Sequence, residues 1–121
     1  MPPRRRVPES EGAAAVAAWL SAPAGADRAT VATATRYTVE ELSVRAPGRS
    51  VEVRVPPYAA AQCVAGPRHT RGTPPNVVET DPQTWLALAT GRESWAEAVA
   101  SGRLRVSGTR ADLTAYLPLV T

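Results

Sequence analysis

The chain has 121 residues, a net charge of +3 and 44% apolar residues, which suits one domain with a core of its own. Its 14 basic residues are all arginine and are scattered, whereas a nucleic-acid binder concentrates them on one face, so no nucleic-acid partner is expected. A single cysteine excludes an internal disulfide and fits a reducing cytoplasm, and no run of about 18 apolar residues is present to form an integral membrane segment.

Residues 1–12 are rich in Pro, Arg and Glu and read as a disordered N-terminal tail ahead of one domain over 13–121. Arg4–Arg6 followed by the Ala-rich run imitates a secretory signal. Glu9 and Glu11 interrupt it, and alanine is too weakly apolar for a signal core, so a cytoplasmic protein is expected. The pattern predicts a short helix over Ala13–Ala22 carrying Trp19, ended by Pro23. Asp27 then caps a long helix reaching about Ala46, with Val31, Thr35, Val39 and Leu42 on one face. On another face Arg36 and Glu40 have the spacing of an ion pair.

Ser50–Val55 alternates as a half-buried strand, with Val51, Val53 and Val55 on one side and Glu52 and Arg54 on the other. Pro56-Pro57 ends it, Tyr58–Ala65 is a second strand of small residues, and 66–76 is a polar loop. Asn76–Thr80 is a third strand. Asp81-Pro82 opens a helix that Gly91 stops. Ser94 and Glu97 have capping-box spacing for a short second helix closed by Gly102. Leu104 and Val106 alternate with arginines in a fourth strand, and Thr109 is read as the cap of a last helix carrying Leu113, Tyr116 and Leu117.

No reaction is legible in these residues. His69 is six residues from Cys63 with nothing to orient it, so no catalytic residue is assigned, and Cys63 reads as a small buried apolar side chain. No cluster of ligands suits a metal and no Gly-rich phosphate loop follows a strand, so no cofactor is expected. The loop carrying Arg68, His69 and Arg71 is the best polar candidate. It offers donors for an anionic headgroup, or is simply a solvated loop. Trp85, Leu88, Trp95 and Val99 form the apolar faces of two successive helices and read first as core.

The ordered set Leu86, Leu88, Gly91, Ala98, Ser101, Gly102, Leu104, Val106, Gly108, Ala111, Leu113 and Leu117 resembles the C-terminal half of the sterol carrier protein domain. The segment Ala46–Pro57 resembles the small bacterial, largely actinobacterial, versions of that domain. The resemblance implies an α+β fold: a mainly antiparallel sheet of about five strands covered by helices on one side. Four strands are read from the residues, and the fifth comes from the family. It also implies a non-catalytic protein that binds, and in some cases transfers, a lipid or other apolar small molecule in an internal cavity. On that basis the ligand-binding residues are Val51, Val53, Val55, Trp85, Leu88, Trp95, Val99, Leu113 and Leu117. Two alternatives stand beside it. One is an interaction or regulatory module with a collapsed cavity. The other is an accessory domain related to mycothiol-dependent maleylpyruvate isomerase-like enzymes, whose metal comes from a separate helical domain.

Overall fold

A computed structural model describes residues 6–66 and 76–120. Helix α1 spans Glu9–Ser21 and α2 spans Arg28–Arg45. Strands β1 (Val51–Val55), β2 (Ala59–Cys63) and β3 (Val77–Thr80) follow. Helices α3 (Pro82–Ala89) and α4 (Trp95–Ala100), strand β4 (Leu104–Ser107) and a single 3-10 turn at Thr114–Tyr116 complete the order.

Among the described residues there are four strands, not five, in the order β2-β1-β3-β4. The sheet is mixed. β1 and β2 form an antiparallel hairpin, with Tyr58 N–H donating to Val55 C=O at 3.0 Å, and β3–β4 is also antiparallel. β1 and β3 run parallel. The hairpin occupies one edge of β1, and β3 lies along the other edge in the same direction as β1. Two of the three seams are antiparallel as expected, and the parallel β1–β3 seam makes the sheet mixed.

The capped starts form as their residues dictate. Asp27 Oδ1 accepts from Thr30 N–H at 2.8 Å, and Asp81 Oδ1 accepts from Thr84 N–H at 2.8 Å. Ser94 and Glu97 complete a capping box. Gly91, at φ 79°, gives the left-handed turn that stops α3. Alternation in β1 holds throughout: Val51, Val53 and Val55 are buried, while Arg54 is exposed.

Four expectations are corrected. The stretch read as a disordered tail is structured from its second half: Pro8 precedes the first turn of α1, Val7 is buried, and Gly12 packs so closely that a Cβ there would lie 2.2 Å from the Tyr37 ring. Glu9 and Glu11 in that first turn favour the helix through its dipole, which explains a start four residues earlier than the alanine run suggested. The terminal helix is reduced to one 3-10 turn. Asp112 Oδ1 accepts from Thr114 N–H, a local alternative to helix, and Pro118 disfavours helical geometry at Leu117. Arg36 and Glu40 each take another partner, described below. Val106 alternates as expected but is 39% exposed, because β4 is an edge strand.

Helix α2 packs against α1, β2 and α3, which accounts for burial around most of its circumference. Its threonines are accommodated by bonding within the core: Thr38 Oγ1 donates to Ala34 C=O and accepts from Trp85 Nε1–H, both at 2.8 Å. The opposite face of the sheet is open, and Arg54, Glu79 and Arg105 form a ladder of alternating charge across β1, β3 and β4.

Candidate functional site

The valine strip of β1 is packed into the core. Val51, Val53, Val55, Trp85 and Leu113 are all at most 1% exposed, and none of them lines any of the four cavities found on the described chain. Leu88 is buried, Trp95 and Leu117 are half-buried, and these three meet in a groove of about 410 Å³ closed by Gly91, Pro118 and the start of α4. Val99 is 43% exposed on the outer side of α4 and lines none of the four. Nine residues expected at one site are thus divided: five in solid core, three around a groove, one on the surface. Arg68, His69 and Arg71 lie outside the described residues.

A second space lies beside the valine strip. In the β1–β2 hairpin Val53 is opposite Ala61 and Val55 is opposite Ala59. The core-facing row therefore drops from valine to alanine at β2. Helix α2 passes over this row with Val39 and Ser43 underneath and Arg36, Glu40 and Val44 along the rim. The missing side-chain volume leaves a slot of about 310 Å³ between α2 and β2. That volume falls near the lower end of the roughly 300–1,000 Å³ of small-molecule pockets.

The slot has an apolar floor and a polar rim. Tyr58 sits at one end, where Arg36 Nε–H donates to Tyr58 C=O at 3.3 Å and the guanidinium carbon lies 5.9 Å from the ring centroid. Along the rim, between Arg36 and Val44, Glu40 Oε2 accepts from the N–H groups of Arg6 and Val7 at 2.9 and 3.2 Å. Arg6 itself lines the slot. Sequence reading missed this place because alanines in a strand carry no apolar signal. The available clue was the mismatch between Val53/Val55 and the small residues of the following strand.

Among the described residues no reacting constellation is assembled. Cys63 is fully buried and its thiol pKa is pushed up to about 11 by burial, which removes the reactive thiolate at neutral pH. Among the described residues no group of three or more His, Cys, Asp or Glu side chains could hold a metal ion.

A family model described as bacterial SCP ortholog matches residues 27–119. The chain belongs to this sterol-carrier-protein-like family. Members of such a family are generally non-catalytic binding domains, and the matched segment begins at Asp27, the cap of α2. The matched segment therefore contains α2, the whole sheet and nearly all the lining of both candidate spaces, whereas α1 and the Arg6–Val7 segment precede it. No curated protein matches the chain. Among the described residues no helix is long and apolar enough to cross a membrane.

Proposed function

We propose that this protein binds a lipid or other apolar small molecule without catalysing a reaction on it, and passes it on. The ligand lies in the slot between α2 and β2, its tail on Ala59 and Ala61. The observation that carries this reading is the slot itself: an opening of about 310 Å³ over an alanine floor that continues the core face of the sheet, in a chain of a sterol-carrier-like family. Burial of a tail is worth about 0.8 kcal/mol per methylene before binding costs, so eight methylenes give roughly 6 kcal/mol with no specific hydrogen bond. Such a site selects for size and polarity rather than for one molecule. We place the protein in the cytoplasm, where its single thiol stays reduced.

A second reading puts the tail in the groove of Leu88, Trp95 and Leu117, supported by the half-buried indole of Trp95. Native mass spectrometry of freshly purified protein, with extraction of any bound species, tests both. A single apolar adduct, displaced by a fluorescent fatty acid at one equivalent, is the expected result. Absence of any adduct together with no saturable probe binding would leave an interaction module. Trp95→Ala separates the two sites, since it abolishes probe binding in the groove and leaves binding in the slot intact.

A further inference from the structure

The segment Arg6–Val7 reaches the slot from outside the family-matched region. It is held by three things: burial of Val7, and two backbone N–H groups donating to the same oxygen, Oε2 of Glu40. Glu40 is one helical turn from Arg36, the spacing at which glutamate and arginine pair on a helix. They do not pair here. Glu40 is turned to the incoming backbone, and Arg36 is turned to Tyr58. Both Arg36 and Glu40 line the slot, so a change in either alters its rim.

These contacts define two exclusive arrangements. With the strap in place, the Glu40 carboxylate is occupied by two N–H donors and Arg36 stays over Tyr58. With the strap away, Glu40 loses both donors, Arg36 is the nearest cation on its own helix, and their pairing draws the guanidinium off Tyr58. We propose that Arg6–Val7 is a latch on the slot: docked, it covers the rim at Glu40 and holds Arg36 at Tyr58; released, it frees both. The latch governs how fast a ligand leaves more than how tightly the floor holds it. The inference rests on the slot being the ligand site.

The test uses the full chain loaded with cis-parinaric acid and mixed with excess phosphatidylcholine vesicles, following loss of probe fluorescence by stopped flow. Glu40→Ala and Val7→Ser each remove one part of the latch while leaving α2 helical. Each is expected to speed release by about fivefold or more, the scale of losing one or two charge-assisted bonds at a part-exposed site. Glu40→Gln keeps an acceptor for the strap and stays closer to wild type. If wild type loads and both variants release within about twofold of it, the latch is wrong and the slot stands. If wild type takes up no probe, slot and latch fall together. Should the variants fail to fold, amide exchange at Val7 in wild type decides: protection raised by bound probe supports the latch, and unchanged protection overturns it.

Discussion

Replacing Ala61 with leucine is the sharpest perturbation of the slot. Ala61 is half-buried, faces the core side and lines the opening directly. Leucine adds three carbons. At about 0.8 kcal/mol per buried methylene the ceiling is ~2.4 kcal/mol of added stability, and half of that, about 1 kcal/mol, is realistic at a rim. For a chain of this length that is roughly 3–5 °C in Tm. The ratio of the per-methylene and per-volume burial terms gives roughly 30 Å³ for each methylene, so the side chain removes about 90 Å³. The slot holds about 310 Å³, so close to a third of the ligand's space disappears. Loss of three buried methylenes from the ligand weakens binding by ~2.4 kcal/mol, roughly 50-fold. Thermal denaturation and a fluorescent fatty-acid titration measure the two halves. Unchanged affinity with raised Tm would show that the ligand is elsewhere. A Tm lowered by many degrees would show that Ala61 faces no free space, since forcing methylenes into a packed site costs about 1–3 kcal/mol.

Trp85→Ala removes the largest fully buried side chain and its bond to Thr38, and should cost about 3–5 kcal/mol in urea denaturation. Asp81→Ala deletes the cap of α3 and should cost about 1 kcal/mol by the same assay. Gly12→Ala forces a methyl into the Tyr37 ring and should lower Tm by several degrees, where a residue in a loose tail would change nothing. The buried thiol of Cys63 stays neutral to about 11, above its ordinary value of 9.0. The unfolded chain therefore ionises first, and stability fully present below about pH 9 is lost as pH rises towards 11. Cys63→Ala should flatten that part of the difference in stability between pH 8 and 11, and native Cys63 should resist a thiol reagent at pH 8.

Local chemistry made much of the fold readable. Asp27, Asp81 and Ser94 start helices because each can satisfy a free N–H within three residues, and nothing distant is needed to see it. The valines of β1 declared their face by alternation alone. What failed depended on partners far along the chain. Gly12 gives no sign that Tyr37, 25 residues away, will pack on it, so the segment looked loose. Arg36 and Glu40 have pairing distance in sequence, yet Tyr58 and the Arg6–Val7 backbone reach them first. Leu113 and Leu117 are spaced for a helix that too few residues remain to form before Pro118. The candidate site suffered most: a strip of valine identifies a buried face and cannot say whether anything was left out above it. In this chain what was left out is at Ala59 and Ala61.

The parallel seam between β1 and β3 has a consequence for how the chain reaches its native state. The β1–β2 hairpin closes over a turn of three residues and is a local pairing. The other two seams are long-range: β1–β3 pairs Val53 with Val78 across 25 residues, β3–β4 pairs Val78 with Val106 across 28, and Val78 in the middle of the sheet belongs to both. Contacts of that separation carry the larger closure entropy and set the pace of folding. Truncating Val78 should therefore slow refolding measurably, whereas a comparable loss in β2, an edge strand paired only through the short hairpin, should appear mainly as faster unfolding.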